Sequence, residues 1–161
     1  MLTCQSMLTG VRVLVADDDV HLLDTVCEVL THLGASVVRA INGGDLIEQL
    51  ATAGPFDLIV TDISMPWMSG LQAIRSMRAA GLPTLVIVMT ALSDPRISAQ
   101  VKSLGANTVL LRKPFSVSEL EAAAHALVRH ASEGSPPQEP FDRDVRSEEN
   151  ANSPSSLRGR R

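Results

Sequence analysis

The sequence predicts an α/β fold in which five parallel strands alternate with five helices. Short runs rich in Val, Ile and Leu recur along the chain, and segments with an apolar residue every three or four positions lie between them. Gly and Pro mark the boundaries of these segments. Continuous apolar runs are typical of buried parallel strands. The predicted strands cover residues 11–16, 35–40, 56–61, 84–90 and 107–111.

The segments between the runs carry helix signals. The first has an apolar stripe from Leu22 to Leu33 and ends at Gly34. The second helix is predicted near residues 44–52 and the last over residues 116–130. Three later helices begin with capping residues, namely Ser69 with Gln72, Asp94 with Pro95, and Ser116 with Glu119. Right-handed crossovers between parallel strands then place helices on both faces of one sheet.

The 161 residues divide by composition into one domain and two flanking segments. Residues 10–131 hold the apolar pattern and form the predicted domain, preceded by an N-terminal extension at residues 1–9. Residues 132–161 are rich in Ser, Pro, Glu and Arg, with few core-forming residues. We predict a disordered tail there, because so little apolar surface cannot offset the entropy of ordering.

Charge and hydropathy exclude several functional classes. The net charge of −4 and the lack of a basic patch give no case for nucleic-acid binding, and we expect no DNA-binding domain in this chain. No apolar run is long enough to cross a bilayer, and the first ten residues do not have the pattern of a secretory signal. Cys4 and Cys27 form no metal-binding spacing. Unpaired thiols favour a cytoplasmic location.

Chemically active side chains follow four of the five predicted strands. In open parallel sheets, ligands bind at the carboxyl ends of the strands, where the strand order reverses. Clustered carboxylates require cations, and an all-oxygen site suits Mg²⁺ with positions left for a phosphate. The residues are Asp17, Asp18 and Asp19 after the first strand, Asp62 after the third, Thr90 at the end of the fourth, and Lys113 after the fifth.

Each of these residues also has an ordinary structural explanation. Asp19 fits the N-cap of the first helix, Thr90 fits a satisfied hydroxyl at a strand end, and Lys113 alone would be a surface lysine. Their recurrence at matching strand ends favours a common site. The chemistry that such a site supports is phosphoryl transfer to an aspartate, with an ammonium group and a divalent cation neutralising the phosphoryl oxygens.

Four stretches, VRVLVADDD, FDLIVTDISMPWMSG, LVIVMTA and RKPF, resemble in this order the receiver domains of bacterial response regulators. The resemblance covers about residues 10–131. It implies a flavodoxin-like, doubly wound (βα)5 fold with strand order 2-1-3-4-5. It also implies that Asp62 accepts a phosphoryl group from a phosphohistidine of a histidine kinase or phosphotransfer protein, with Mg²⁺ or Mn²⁺ as cofactor. Such a domain is not expected to turn over a separate substrate.

The resemblance assigns a role to each matching residue. The implied metal ligands are Asp18 and Asp62 directly, Asp17 through water, and the backbone carbonyl of Ser64. The Thr90 hydroxyl and the Lys113 ammonium bind the phosphoryl oxygens, and the Lys113–Pro114 peptide is expected to be cis.

The fifth strand departs from the family pattern. Family members usually carry an aromatic switch residue a few positions before the lysine, and this chain has Leu110 when counted back from Lys113, or Val109 when counted forward from Gly105. The two counts differ because GANTVLLRKPF is one residue longer than usual, which predicts a bulge in this strand. Leu92 is apolar where many members carry a polar residue.

Two other functions compete with this interpretation. Asp17 and Asp19 resemble the first motif of haloacid-dehalogenase-type phosphatases, with Asp17 as nucleophile and Asp19 as acid, although Asp62 would then have no role. A non-phosphorylated binding module that keeps the fold is the second. If the chain is a true receiver, it acts either by docking to a downstream target protein or by passing the phosphoryl group on in a relay. We expect it to be a monomer or a weak dimer.

Overall fold

Five strands and five helices alternate along the chain in the computed structural model, which describes residues 7–134. The strands are β1 (Arg12–Ala16), β2 (Ser36–Ala40), β3 (Leu58–Asp62), β4 (Leu85–Thr90) and β5 (Thr108–Arg112). The helices are α1 (Val20–His32), α2 (Gly43–Thr52), α3 (Gly70–Ala79), α4 (Pro95–Lys102) and α5 (Val117–Gly134). No helix among the described residues has both the length and the apolar character of a membrane span.

The strands form one parallel sheet in the order β2-β1-β3-β4-β5, which confirms the predicted topology. Strand β1 lies between β2 and β3, with Leu14 paired to Val38 on one side and to Ile59 on the other. The chain therefore reverses its direction of winding between β1 and β3. This places a crevice at the carboxyl ends of these two strands.

The core has two layers, one on each face of the sheet. Side chains from α1 and α5 pack on one face, against residues such as Val15 and Val60. Side chains from α2, α3 and α4 pack on the other, against residues such as Leu14 and Ile59. Alternate strand residues thus point to opposite layers, as a pleated strand requires. The core is almost entirely aliphatic, as the scarcity of aromatic residues leads one to expect.

Helix starts follow the predicted capping chemistry. Asp19 accepts hydrogen bonds from the backbone amides of His21 and Leu22 and caps α1. The pairs at the starts of α3 and α5 form reciprocal capping boxes, and Asp94 caps α4 ahead of a proline. Helix α2 begins at a cap that the sequence analysis did not name, where Asn42 accepts from the amide of Asp45.

The predicted bulge in the fifth strand is wrong. Strand β5 pairs with β4 without interruption, from Val86 opposite Thr108 to Thr90 opposite Arg112. The segment before the strand forms a turn, in which Gly105 has a φ of 103° and its carbonyl accepts a hydrogen bond from the amide of Thr108. A turn accommodates an insertion without breaking ladder hydrogen bonds, which a strand does not.

Both predicted boundaries of the domain need correction. Leu8, assigned to the N-terminal extension, is fully buried in the core, and its amide donates to the carbonyl of Leu33. Helix α5, predicted to end at His130, continues to Gly134, so residues 132–134 are helical rather than part of a tail. The remaining predictions for the termini concern residues 1–6 and 135–161, which lie outside the described residues.

Candidate functional site

The predicted site residues lie at one edge of the sheet, because parallel strands end on the same side. Asp17 follows β1, Asp62 ends β3, Thr90 ends β4 and Lys113 follows β5. Each belongs to a different segment of the chain, and the sheet register alone brings them together. Strand β2, whose end carries no such group, is an edge strand of the sheet.

Three carboxylates form a compact cluster at this edge. One oxygen each from Asp17, Asp18 and Asp62 lies within 4.8 Å of the others. Asp17 is fully buried and Asp62 is 5% exposed, whereas Asp18 faces solvent. The cluster is thus open on the side of Asp18 and closed beneath by the sheet.

Lys113 provides the positive charge inside this cluster. Its Nζ donates to Oδ2 of Asp17 at 2.8 Å and lies 3.4 Å from Oδ1 of Asp62. Burial by itself lowers the pKa of Lys113, but the hydrogen bond to Asp17 and the charges of both carboxylates raise this pKa above its ordinary value overall. The lysine therefore stays protonated and holds the two buried acids together.

The phosphoacceptor candidate Asp62 has an unfavourable setting for its charge. Burial raises the pKa of Asp62, Lys113 lowers it and Asp17 raises it again, and the net shift is upward. A hydrogen bond from the backbone of Ser64 also favours the ionised form of Asp62. One lysine does not compensate three acids, so the cluster has an excess of negative charge that a cation would remove.

The second oxygen of Asp17 is also used. Oδ1 of Asp17 accepts from the backbone amide of Asp19 at 2.9 Å, and Oδ2 accepts from Lys113. The side chain of Asp19 caps α1, and its Oδ1 accepts hydrogen bonds from the backbone amides of His21 and Leu22. The structural explanation of Asp19 is therefore confirmed.

Thr90 is a buried hydroxyl on the strand next to Asp62. Its Oγ1 accepts a hydrogen bond from the backbone amide of Leu92 at 3.0 Å, and the residue is 1% exposed. A hydroxyl has one proton to donate, so this arrangement leaves the Thr90 proton free for an acceptor such as a phosphoryl oxygen.

The loop after Asp62 is held by close backbone contacts. A Cβ at Gly70 would lie 2.1 Å from the carbonyl oxygen of Asp62, and a Cβ at Gly43 would lie 2.0 Å from the carbonyl oxygen of Met68. The sequence analysis named neither glycine as a site of close packing; Gly43 and Gly44 are the first two residues of α2. Trp67, in the same loop, is 92% exposed and has a positive φ of 72°.

The candidate switch positions lie on opposite faces of β5. Leu110 packs against the layer of α2, α3 and α4, and Val109 packs against the layer of α1 and α5; both are half-buried. The pairing of β5 with β4 is regular from Thr108 to Arg112, and both candidate positions lie within it. The expected cis peptide between Lys113 and Pro114 is present.

The donor set fits a hard divalent cation. It offers carboxylate oxygens and excess negative charge, with no sulfur or imidazole ligand. Mg²⁺ or Mn²⁺ matches these ligands, and the exposed side of the cluster leaves positions open for water and phosphate oxygens.

A sequence model of the family described as the response regulator receiver domain matches residues 13–125. The transcriptional regulatory protein DltR of Streptococcus agalactiae serotype III (strain NEM316) is 35% identical over 121 residues, which are 75% of this chain and 53% of that protein. The response regulator protein PmrA of Pseudomonas aeruginosa is 36% identical over 129 residues, covering 79% of this chain and 57% of its own length. The chain thus spans a little over half the length of these curated relatives.

Solved structures agree with the sequence comparisons. The receiver domain of the Francisella response regulator 1452 superposes with a TM-score of 0.69 at 28% identity, over 76% of this chain and 99% of that one. The chemotaxis response regulator CheY4 of Vibrio cholerae gives a TM-score of 0.66 at 26% identity, over 74% and 99% of the two chains. Fold, strand order and matched residues coincide, and the chain belongs to the family of response regulator receiver domains.

Proposed function

We propose that this chain is the phosphoacceptor receiver of a two-component phosphorelay and that Asp62 takes the phosphoryl group. The observation that carries the proposal is the convergence of three carboxylates and one ammonium group, from three distant segments, at the carboxyl edge of the sheet. Phosphoryl transfer requires this combination of an oxygen nucleophile and positive charge.

In the proposed reaction, a carboxylate oxygen of Asp62 attacks the phosphorus of a phosphohistidine. The new P–O bond forms as the P–N bond breaks, and the imidazole leaves with the electron pair and takes up a proton from solvent water. Lys113 and the Thr90 hydroxyl donate to the phosphoryl oxygens, and Asp17 keeps the lysine in place through the 2.8 Å contact. This step moves one phosphoryl group and needs no further reactant.

Asp17, Asp18 and Asp62 would hold the divalent cation, with the backbone carbonyl of Ser64 as a further ligand. When bound, Mg²⁺ or Mn²⁺ neutralises negative charge on the carboxylates and on the transferring phosphoryl oxygens. The upward pKa shift of Asp62, caused first by burial, supports a site that requires such a cation for full charge compensation.

The partners follow from this chemistry. The phosphodonor is a histidine kinase or phosphotransfer protein, and the protein acts in the cytoplasm as a monomer or weak dimer. Output runs by docking to a downstream target protein, through the face formed by α4, β5 and α5, or by relay of the phosphoryl group. No separate substrate is turned over. Leu110 is the proposed, non-aromatic counterpart of the switch residue.

Labelling with a small phosphodonor tests the proposal. The chain is incubated with acetyl phosphate and Mg²⁺, and intact mass spectrometry counts the phosphoryl groups added. We expect one group per chain in the wild type and none in Asp62→Asn or in EDTA. Asp57→Asn is the matched control, because Asp57 is an exposed acid just before β3, at the opposite end of that strand.

Other outcomes identify other functions. Equal labelling of wild type and Asp62→Asn would contradict Asp62 as acceptor. Steady release of phosphate from phosphomonoesters would support the phosphatase alternative with Asp17 and Asp19. A wild type that takes no label in the presence of Mg²⁺ would support the non-phosphorylated binding module.

A further inference from the structure

Exposed apolar side chains are concentrated at the edge of the sheet that carries the acid cluster. Among the described residues, six large hydrophobic side chains are substantially exposed, and five of them follow strand ends at this edge. Each of the five strands is followed by one of these residues, which are Val20, Ile41, Trp67, Leu92 and Val117. The sixth, Leu82, precedes β4 at the opposite edge. A single exposed apolar residue is ordinary, but this concentration at one edge requires an explanation.

Trp67 is the most exposed residue of this group and the only tryptophan of the chain. Its φ of 72° lies in the left-handed region, which residues with a Cβ disfavour, and no other non-glycine residue among residues 7–134 has a positive φ. Because 92% of the residue is exposed, its indole adds little to the packing of the core. A residue that strains the backbone without packing inside the protein is a candidate for contact with a partner.

Contacts from the start of α2 hold the backbone on both sides of Trp67. The amide of Gly43 donates to the carbonyl of Pro66 at 3.4 Å, and the amide of Met68 donates to the same carbonyl at 2.9 Å. A Cβ at Gly43 would lie only 2.0 Å from the carbonyl oxygen of Met68, so the two segments meet backbone to backbone. The strained conformation of Trp67 is therefore part of the packing between the acceptor loop and α2.

Ile41 is a second exposed apolar residue beside this contact. It lies two residues before Gly43 and is 56% exposed. Its amide donates to Oδ2 of Asp45 at 3.0 Å, and Asn42 accepts from the amide of Asp45 at 2.8 Å, so hydrogen bonds fix its backbone to the start of α2. Since α2 begins against the acceptor loop, Ile41 and Trp67 lie on neighbouring loops. We call these two residues the apolar corner.

The position of the apolar corner indicates what covers it. Its two loops follow β2 and β3, which lie on either side of β1, and Trp67 is five residues beyond Asp62 in the chain. The face of α4, β5 and α5 lies at the other end of the strand order and does not include the corner. In the proposed reaction, a histidine of the donor approaches Asp62 from the open side of the cluster, where Asp18 is exposed. A protein that brings its histidine there must cover loops beside the cluster.

We propose that Trp67, together with Ile41, is a contact residue for the protein phosphodonor and thereby favours a histidine-phosphorylated protein over small phosphodonors. The corner fits a donor with an apolar surface beside its phosphohistidine. Tryptophan is frequent among the residues that dominate interface affinity, because it offers a large, rigid contact area. A small donor such as acetyl phosphate has no surface to reach the corner. The inference rests on the proposed function, since it assigns a partner contact to the Asp62 site.

The first test compares a protein donor with acetyl phosphate on the full chain. Histidine kinases and phosphotransfer proteins encoded in the same genome are phosphorylated on histidine, and the one that labels the wild type fastest is used. For each variant, the rate of labelling by this protein is divided by the rate with acetyl phosphate, so that a disturbed acceptor loop affects both rates and cancels. The variants are Trp67→Asn, since Asn tolerates a positive φ, and Ile41→Asn. Leu82→Asn, at the opposite edge, is the matched control.

We expect the ratio of the two rates to fall about tenfold in Trp67→Asn and about threefold in Ile41→Asn, and to stay within about twofold of the wild type in Leu82→Asn. The second test observes the contact itself. The Asp62→Asn chain, which cannot accept the phosphoryl group, is labelled with 5-fluorotryptophan and gives one fluorine NMR signal, because Trp67 is the only tryptophan. Titration with the phosphorylated protein donor should shift or broaden this signal.

Equal ratios in the wild type and Trp67→Asn, or a fluorine signal that the donor leaves unchanged, overturn the inference and leave the proposed function intact. Labelling by acetyl phosphate without transfer from any of the histidine-phosphorylated proteins also overturns the inference. A signal that moves with the concentration of the chain alone overturns it as well, because a second copy then covers the corner. A wild type that neither kind of donor labels overturns the proposed function, and the inference with it.

Discussion

At the scale of single residues, the electrostatics of Asp17, Asp62 and Lys113 define the site. Two buried or nearly buried acids share one lysine, and the third acid faces solvent. A buried ion pair contributes little net stability, because desolvation offsets the Coulomb attraction. Stability therefore does not explain the cluster, and its proposed role in phosphoryl transfer does. The removal of one acid should change the free energy of unfolding in a predictable direction.

Asp62→Asn should raise the free energy of unfolding in EDTA by about 1 kcal/mol. The upward pKa shift of Asp62, due first to burial, means that its charge is less stable in the folded state than in the unfolded chain at neutral pH. Urea unfolding measures the change, and Glu28→Gln on the exposed face of α1 is the control. In Mg²⁺ the advantage should disappear, because the cation compensates the charge of Asp62 and binds more tightly to the wild type, which has all three carboxylates. A destabilised Asp62→Asn in EDTA would contradict this account of the cluster.

Gly70 tests how tightly the acceptor loop is packed. An added Cβ would lie 2.1 Å from the carbonyl oxygen of Asp62 and 2.8 Å from Oγ1 of Thr61, so the backbone itself must shift. We expect Gly70→Ala to cost about 2–3 kcal/mol of stability and to slow phosphorylation. Gly134→Ala, at a helical position with nothing within 4 Å of the added Cβ, should be neutral or slightly stabilising. Equal effects in thermal unfolding would refute the packing argument.

At the scale of elements, segments outside the regular strands pack at the amino ends of the strands, opposite the edge that carries the site. The turn at residues 7–10 brings Leu8 under α1, and Arg78 connects the end of α3 to its neighbours. Neither feature belongs to a repeating pattern. Both fix how the helices sit on the sheet, and hence how the strand ends meet at the opposite edge.

Leu8→Ala should destabilise the protein by about 2–4 kcal/mol, because Leu8 is fully buried against the α1 and α5 layer. Its neighbour Thr9 is exposed, so Thr9→Ala should change the unfolding free energy by less than about 0.5 kcal/mol. Chemical denaturation of both variants measures the difference. If Leu8→Ala were as stable as Thr9→Ala, the domain would begin after residue 9, as the sequence analysis proposed.

Arg78 joins three segments through its guanidinium. It donates to the carbonyls of Leu104 at 3.1 Å and Leu82 at 2.8 Å, and to Oγ1 of Thr108 at 3.1 Å. Arg78→Met keeps most of the packing but leaves these acceptors unpaired, and we expect a loss of about 1–3 kcal/mol. Arg75→Met, on the exposed side of the same helix, is the control. Equal melting temperatures for the two variants would contradict this role.

At the scale of the whole molecule, the apolar runs predict the parallel α/β fold and the edge that carries the site, whereas the strand order is predicted by the family resemblance. Asp17, Asp62, Thr90 and Lys113 each follow an apolar run, and parallel strands must end on one side. Once the runs are recognised, the meeting of these residues follows from the fold. The capping pairs are predictable for a similar reason, since their partners lie only three residues apart.

Other features depend on tertiary contacts that no local pattern contains. The burial of Leu8 has no periodicity to indicate it, and the length of the segment after Gly105 does not say whether the extra residue lies in a turn or in a strand. Arg112 donates hydrogen bonds to the backbone oxygen of Leu92 and to Oγ of Ser98 on α4, and these bonds depend on the position of α4 relative to β5. The sequence analysis placed the bulge wrongly because residue counting contains no information on hydrogen bonding.

The most direct test of the central claim is to identify the residue that carries the phosphoryl group. The protein is labelled by acetyl phosphate in Mg²⁺, the acyl phosphate is trapped by borohydride reduction, and the modified residue is located by peptide sequencing. The account predicts modification at Asp62 alone. Modification at Asp17, or at an exposed acid away from the cluster, would contradict it.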